Sequence, residues 1–308
     1  MFNGPLTQGK GTQNMSLKLV LTLLCFRFVE SRSLGDERND WSVHGHIVRV
    51  NEAQDDSQRR GLGDIPLEEE IVVANGDPYK RPGCELFEGD LCLDPGDEAV
   101  VKETDLKRNV ILNNAKKLWP RKEVRYSVDH NLKHLRPKIN DAIALLQDKT
   151  CLTFQEVDQS YTGDHIKMFQ ENGCWSKIGR SGGAQSLSLG RGCEYVGVVL
   201  HEVMHALGIW HEQSRHDRDK YVEVLWNNIQ PGARKNFKKY DHGKVDSLGL
   251  PYDFESVMHY DRLLFSIDGK KPTIIARGRP WVKLGGQLRG TLTKNDIFEI
   301  NALYDCNP

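Results

Sequence analysis

A run that begins at His201 reads H-E-x-x-H-x-x-G-x-x-H, and it constrains the fold more than any other feature. Residues four apart lie on one face of a helix, so His201 and His205 can point at one metal ion. Glu202 can reach a water molecule on that metal. Gly208 can end the helix in a left-handed conformation, which lets His211 approach from another direction. Three histidine nitrogens that leave one position for water predict a catalytic zinc site.

The alternative interpretation is a buried amphipathic helix whose histidines bind no metal. The residues around the histidines are apolar and would be buried in either case: Val198, Val199, Leu200, Val203, Ala206 and Leu207. We favour zinc because the glycine and the third histidine stand at fixed positions, which makes the extended motif far more specific than H-E-x-x-H alone.

A second motif, Ser256-Val257-Met258-His259-Tyr260, lies downstream. By itself, a methionine flanked by aromatic residues is ordinary core filler. Together with the extended zinc motif, it resembles the methionine turn that lies beneath the metal in metzincins.

The residues after the third histidine narrow the resemblance. Glu212 follows directly, and Gln213-Ser214-Arg215 and Asp217-Arg218-Asp219 come next. With the S-x-M-H-Y turn, this combination resembles the astacin family of zinc endopeptidases, from near Asn109 to the end of the chain. The resemblance implies an α+β fold in which residues 109–308 form a two-lobed catalytic domain with zinc in the cleft.

The resemblance also implies roles for the motif residues. His201, His205 and His211 would bind the zinc ion, one per catalytic domain. Glu202 would be the general base, and Tyr260 would be an additional ligand that leaves the metal to stabilise the oxyanion.

Two structural roles follow from the same resemblance. Met258 would lie in the turn beneath the metal. Glu212 would form a buried contact with the amino terminus of the mature enzyme, at Asn109.

The chemistry of such a site is peptide hydrolysis. Zinc lowers the pKa of its water to about 7. Glu202 takes the proton and passes it to the leaving amine. Zinc and the Tyr260 hydroxyl stabilise the tetrahedral oxyanion, and one such donor typically lowers the barrier by about 3 kcal/mol.

Charge divides the chain unevenly. Residues 1–108 contain 13 Lys and Arg against 20 Asp and Glu, whereas residues 109–308 contain 29 against 23. An acidic segment before a basic domain is typical of an inhibitory propeptide, which we assign to residues 34–108. The alternative is a solvated acidic linker.

Residues 1–33 have the features of a secretory leader, with Lys18 before a short apolar core. That core is too short to span a bilayer, and no other apolar run is long enough for a membrane anchor. Polar or small residues precede Met15, so initiation at Met15 is an alternative start. We therefore expect a secreted, extracellular protein.

Seven cysteines agree with an oxidising compartment. Cys25 lies in the leader, and the four cysteines of the catalytic part allow three pairings. The family resemblance selects Cys151–Cys306 and Cys174–Cys193.

Cys84 and Cys92 flank the run Phe87-Glu88-Gly89-Asp90. This F-x-G-D resembles the inhibitory motif of astacin pro-segments, which implies that Asp90 takes the water position on zinc in the zymogen. Two alternatives stay open. The thiolate of Cys84 would bind the zinc instead, as in latent matrix metalloproteases, or the run is only a turn closed by a Cys84–Cys92 disulfide.

A basic pair, Lys107-Arg108, precedes the apolar stretch that begins at Asn109. Cleavage of the Arg108–Asn109 bond by an activating protease would release the amino terminus that Glu212 is expected to bind.

Periodicity gives a coarse fold. Residues 137–148 and 227–240 are predicted to be helical, the second with a break near Pro231-Gly232. A capped helix is predicted over 293–304. Strands are predicted over 153–157, 166–169 and 185–189. Residues 185–189 are expected at the sheet edge along which an extended substrate lies.

The expected partners are a protein or peptide substrate in extended form, the chain's own propeptide and an activating protease. We expect a monomer that binds no nucleic acid. The alternative function is a catalytically inactive astacin-like binding protein. A structural zinc protein is a further alternative, which the set of only three histidines argues against.

Overall fold

The structure is a computed structural model that describes residues 80–81, 84–94, 115–239 and 248–306. The leader at 1–33, the Met15 start and the Arg108–Asn109 junction lie outside the described residues, as does most of the pro-segment. The described residues of the expected pro-segment contain three short strands.

Ten strands occur in the described residues. They are β1 Lys80–Arg81, β2 Cys84–Phe87, β3 Leu91–Cys92, β4 Glu123–Val128, β5 Thr153–Glu156, β6 His165–Phe169, β7 Cys174–Lys177, β8 Ala184–Leu189, β9 Val222–Val224 and β10 Ile274–Ala276. Eight of them form one mixed sheet in the order β1-β2-β3-β7-β8-β6-β4-β5, and β9 pairs with β10.

Strand direction divides this sheet. Strands β5, β4, β6 and β8 run parallel, whereas β7 runs antiparallel to β8. Beyond β7 the sheet is extended by residues from the segment expected to be the propeptide, with β3 parallel to β7 and β2 antiparallel to β3. Strand β7 is therefore the strand on which β3 lies.

The predicted position of residues 185–189 at the sheet edge is wrong. They lie in β8, which pairs with β6 on one side and β7 on the other. Alternation of polar and apolar residues reports the two faces of a strand, because successive side chains point to opposite faces. It carries no information about which neighbours the strand has.

Three α-helices occur in the described residues: α1 Arg136–Lys149, α2 Val196–Leu207 and α3 Lys294–Leu303. Helix α1 agrees with the helix predicted over 137–148 and has Pro137 in its first turn, where no backbone donor is needed. Its buried residues are Ile139, Ala142, Ile143 and Leu146. Helix α2 carries the zinc motif and is buried from Gly197 to Leu207.

Helix α3 begins with a capping box. The Thr293 side chain accepts from the backbone N–H of Asp296, and the Asp296 side chain accepts from the Thr293 N–H. Two donors of the first turn are thereby satisfied, which fixes where the helix starts.

The prediction over 227–240 is right about the break near Pro231-Gly232 and wrong about the type of helix. The described part contains two short 3₁₀ helices instead, Trp226–Asn228 and Pro231–Phe237, and Tyr240 lies outside the described residues. Pro231 lacks an N–H and pushes Gln230 out of the helical region, to φ −49° and ψ 132°. A continuous helix therefore has to stop before Pro231.

Two hydrophobic cores correspond to the two lobes. The first lies between the sheet and the three α-helices, with Leu146, Ile166, Val203 and Ile300 fully buried. The second packs Val222, Phe237, Tyr260 and Ile274 around the β9–β10 pair. Met258 belongs to the first core and Tyr260 to the second, so the methionine turn lies where the cores meet.

The described residues form three disulfide bonds: Cys84–Cys92, Cys151–Cys306 and Cys174–Cys193. The second joins Cys151, two residues before β5, to Cys306, three residues after the end of α3. Among the described helices, none combines the length and the apolar character needed to cross a bilayer.

Candidate metal centre and active site

Helix α2 brings two of the candidate ligands together. His201 and His205 lie one turn apart, with their Nε2 atoms separated by 3.1 Å. Gly208 ends the helix with φ 109°, in the left-handed region that favours glycine. The chain then turns so that His211 Nε2 lies 3.4 Å from His201 Nε2. Three imidazole nitrogens therefore converge on one point.

Backbone carbonyls orient the first two imidazoles. His201 Nδ1 donates to the Val257 carbonyl and His205 Nδ1 donates to the Ile209 carbonyl, each at 2.7 Å. Because a carbonyl only accepts, the proton lies on Nδ1 and the lone pair lies on Nε2. This is the tautomer that binds a metal through Nε2.

The third imidazole has a different partner. His211 Nδ1 lies 2.7 Å from Glu88 Oε2, and Ser214 Oγ donates to Glu88 Oε1 at 2.6 Å. Glu88 is 1% exposed and lies in the segment that we expect to be the propeptide. The residue that orients His211 therefore comes from outside the catalytic part of the chain.

Asp90 lies against all three histidines. Its Oδ2 is 3.2 Å from both His201 Nε2 and His211 Nε2, and its Oδ1 is 3.8 Å from His205 Nε2. The four ligand atoms lie within 4.8 Å of one another, and all four side chains are buried. Three imidazole nitrogens and one carboxylate oxygen are a donor set that zinc takes in tetrahedral coordination, so the residues present fit zinc.

Glu202 lies on α2 beside this cluster and is fully buried. Neither of its carboxylate oxygens has a hydrogen-bond partner among the described residues. Burial, followed by the negative charge of Asp90, raises the pKa of Glu202 well above its ordinary value. Buried carboxyl groups without partners are rare and concentrate at functional sites, where a raised pKa suits proton transfer near neutral pH.

The methionine turn is joined to the loop after the third histidine. The Met258 carbonyl accepts from the Glu212 N–H at 3.0 Å, and the Tyr260 N–H donates to Gln213 Oε1 at 3.0 Å. Met258 is buried, and the carbonyl of the preceding residue, Val257, accepts the hydrogen bond from His201 Nδ1. Met258 therefore lies beneath the histidines. The turn therefore fixes the position of the metal ligands from below.

Helix α3 supports the same turn. Ser256 Oγ donates to Asp296 Oδ1 at 2.6 Å, and the Val257 N–H donates to Asp296 Oδ2 at 3.3 Å. Asp296 thus caps its own helix and holds the methionine turn with one carboxylate.

Tyr260 lies beside the third histidine. Its ring centroid is 5.0 Å from that of His211, and its hydroxyl donates to the Glu88 carbonyl. In this structure, the phenol that the family resemblance assigns to the oxyanion is therefore bound to the Glu88 carbonyl.

Glu212 is buried, and its partner in this structure is Arg215. Arg215 Nη1 lies 3.0 Å from Glu212 Oε1, which also accepts from the Asp253 N–H at 2.7 Å. Burial raises the pKa of Glu212 to about 7. Asn109 lies outside the described residues, so its contact with Glu212 stays a prediction.

The alternative in which the Cys84 thiolate binds zinc is wrong. Cys84 is bonded to Cys92, with an S–S distance of 2.07 Å, and so has no thiolate to offer. Asp90, between the two cysteines in the chain, is the pro-segment residue in the metal cluster.

Sequence reasoning missed three supporting residues: Glu88, Gln213 and Asp296. Glu88 lies inside the F-x-G-D run, but its position between Phe87 and Gly89 gave no sign that it reaches His211. Asp296 has a local signal, the capping box, which does not reveal its second role at the methionine turn.

Most of the chain, including the metal cluster's histidines, resembles known proteins. Residues 111–305 match the family model described as Astacin, a peptidase family, and this match covers more than half of the chain. The chain belongs to the astacin family.

Similar proteins include zinc metalloproteinase nas-4 of Caenorhabditis elegans, 36% identical over 220 residues, which are 71% of this chain and 69% of that protein. Human meprin A subunit beta is 37% identical over 229 residues, which are 73% of this chain but only 30% of meprin. A solved structure of high choriolytic enzyme 1, a hatching enzyme zinc-protease from the medaka Oryzias latipes, is 35% identical with a TM-score of 0.55. It covers 66% of this chain and 96% of that chain.

The family membership and the metal cluster lead to one conclusion. This astacin is a zinc-dependent endopeptidase with an α+β, two-lobed metzincin fold. Its zinc site consists of residues that the structure brings within ligand distance of one another.

Proposed function

We propose that this astacin is a secreted endopeptidase made as a zymogen, kept inactive by Asp90. The observation that carries the proposal is the position of the Asp90 carboxylate, 3.2 Å from the Nε2 atoms of His201 and His211. A carboxylate ligand at that point excludes both the attacking water and the substrate carbonyl from the metal.

The path of the pro-segment supports the same proposal. Strand β3 pairs with β7, so it occupies backbone groups that an extended substrate would use. Asp94, just after β3, forms ion pairs with Lys177 and Lys117 of the catalytic part. The chain's own propeptide and the substrate would therefore compete for the same edge of the sheet.

In the mechanism, Glu202 moves the proton. His201, His205 and His211 would hold the zinc ion, which would supply a Lewis acid that makes water more acidic and polarises the peptide carbonyl. Glu202 takes a proton from the attacking water and gives it to the leaving nitrogen. Tyr260, released from the Glu88 carbonyl when the pro-segment leaves, donates its hydroxyl hydrogen to the oxyanion.

Activation would also give the buried carboxylate of Glu212 a new partner. Cleavage at Arg108–Asn109 would give an ammonium group, which we propose binds Glu212. The pKa of about 7 that burial gives Glu212 supports this, because a cation would favour the charged form of the buried carboxyl. Arg215 would then share Glu212 with the new amino terminus.

Secretion is supported by two features. Residues 1–33 have the pattern of a secretory leader. The three disulfides of the structure require an oxidising compartment, which secreted proteins encounter.

Casein cleavage by the purified, uncleaved chain tests latency. We expect the wild-type chain to be silent until its pro-segment is removed and the Asp90→Ala chain to be active without cleavage. In the double variant Asp90→Ala/Glu202→Gln the premature activity should disappear, which assigns it to this site. Continued silence of a folded, zinc-loaded Asp90→Ala chain would contradict the proposal.

A further inference from the structure

We propose that Glu88 is a positioning residue of the uncleaved chain, which orients His211 on zinc and makes the zymogen hold its metal more tightly than the mature enzyme does. The inference rests on the proposed function, in which the pro-segment is removed at activation. It assigns the pro-segment a second contribution, separate from the direct blocking by Asp90.

The contacts of Glu88 carry the proposal. One carboxylate oxygen lies 2.7 Å from His211 Nδ1, and the other accepts from Ser214 Oγ at 2.6 Å. The side chain is 1% exposed, and His211 is also 1% exposed. A carboxylate buried this deeply is stable only when both oxygens are bound, so the two partners fix its position.

The backbone is shaped for this contact. Glu88 has φ 51° and Gly89 has φ 88°, so two consecutive residues lie in the left-handed region. For a residue with a Cβ this conformation is strained and persists only where the surroundings hold it. The Tyr260 hydroxyl bound to the Glu88 carbonyl and the two bonds of the carboxylate are such restraints. The tight turn lets Glu88 and Asp90 reach the same metal centre.

The chemical consequence follows from the role of the second imidazole nitrogen. A carboxylate on Nδ1 fixes the ring and makes Nε2 a stronger ligand, and loss of such a partner typically weakens metal binding about 10–100-fold. His201 and His205 obtain their Nδ1 partners from carbonyls of the catalytic part, which remain after activation. His211 obtains its partner from the segment that is removed.

Zinc release from the intact chain is the direct test. The full uncleaved protein is mixed with an excess of a colour-forming chelator, and the rate of zinc transfer is followed. We expect Glu88→Gln, which keeps the size of the side chain, to release zinc about tenfold faster than the wild type. Asp94→Asn is the matched control. It removes another pro-segment carboxylate contact, with Lys177 and Lys117, and should leave the release rate unchanged.

Cobalt substitution gives a readout that general loosening would not change. With Co²⁺ in the site, the visible absorption bands report the ligand field. We expect Glu88→Gln to shift these bands in the uncleaved chain and Asp94→Asn to leave them in place. After activation residue 88 is gone, so both variants must give the wild-type spectrum, release rate and kcat/KM.

Each outcome bears on one proposal. A wild-type release rate and cobalt spectrum for Glu88→Gln would overturn the positioning role while leaving latency by Asp90 intact. Equal effects of Glu88→Gln and Asp94→Asn would also overturn it, because the effect would then come from a loosened pro-segment. A silent Asp90→Ala chain would instead contradict the proposed latency and leave the Glu88 measurement valid.

A second variant covers the case in which Glu88→Gln does not fold. Ser214→Ala removes the hydroxyl that holds Glu88 Oε1 and leaves the pro-segment sequence unchanged. We expect its zinc release from the uncleaved chain to be about two- to tenfold faster, as for the loss of one hydrogen bond. An unchanged rate for this variant would count against the proposal.

Discussion

The two sides of the metal centre are built differently. On one side, His201 and His205 lie on a buried helix, and backbone carbonyls hold their second ring nitrogens. On the other side, Asp90 and Glu88 lie on a left-handed turn between two short strands of the pro-segment. The first side depends on the core of the catalytic domain, and the second depends on side-chain contacts with a segment that we propose is removed.

The difference separates residues that stay in the site after activation from residues that leave with the pro-segment. A ligand oriented by a carbonyl of its own domain keeps its geometry when the pro-segment leaves. His211 stands between the two classes, because it is a ligand of the catalytic part whose outer partner is Glu88. Substitutions on the helix side should therefore affect both forms of the enzyme, whereas substitutions on the turn should affect only the uncleaved form.

Loss of a helix-side ligand should have the largest effect. We expect His205→Ala to abolish zinc binding and activity in the cleaved form, where only two imidazoles remain, and to weaken zinc binding in the uncleaved form, where Asp90 is a third ligand. Zinc content per chain, measured by atomic absorption, checks this. Asp90→Ala is the comparison on the turn side, and it should keep zinc in both forms. A His205→Ala enzyme that retains zinc and activity after cleavage would refute the helix-side assignment.

Substitution of the general base should remove activity without removing the metal. We expect Glu202→Gln to lower kcat of the cleaved enzyme by about 10²- to 10⁴-fold, since the amide takes no proton. Zinc content should remain that of the wild type, because the three histidines are unchanged. Wild-type turnover in this variant would exclude Glu202 from the mechanism.

The disulfides on the two sides of the metal centre should differ in how much they stabilise the protein and in which form they do so. Cys151–Cys306 closes a separation of 155 residues, and Cys84–Cys92 closes one of 8. In the chain-entropy model, replacing the first pair by serine costs about 5 kcal/mol of unfolding free energy and the second about 2.5 kcal/mol.

Denaturant unfolding of the uncleaved chain measures both losses. Only the loss of Cys151–Cys306 should persist in the cleaved enzyme. If the cleaved enzyme made from the Cys84/Cys92 variant were less stable than the cleaved wild type, this prediction would be wrong.

The smallest expected effect is at the turn itself. Gly89→Ala places a Cβ in the left-handed region, 2.6 Å from the Phe265 Cζ atom, at a cost of about 1–2 kcal/mol. We expect about tenfold more activity in the uncleaved chain and identical cleaved enzymes. Gly278→Ala is the control on the catalytic side, where φ is 69° and no atom lies within 4 Å of the added Cβ. It should lower stability in both forms and leave latency unchanged.

Local features of the fold were predictable because their causes are local. The zinc helix and its end at Gly208 follow from residues a few positions apart, as do helix α1 and the capped helix α3. Over 227–240 the break near Pro231-Gly232 was predicted correctly, because proline acts locally, but the segments on either side are 3₁₀ helices. The edge position of residues 185–189 failed because the order of strands depends on contacts between distant parts of the chain.

By itself, the sequence determined the chemistry: two histidines and a glutamate at helical spacing, with a third histidine beyond Gly208, specify what the site can bind and how it can move a proton. Only the tertiary structure decided which distant groups complete the site. Glu88 lies 123 positions from His211, and Asp296 lies 40 positions from Ser256. Such pairs follow from packing of the whole domain rather than from local spacing, because no periodicity of a helix or strand relates residues so far apart.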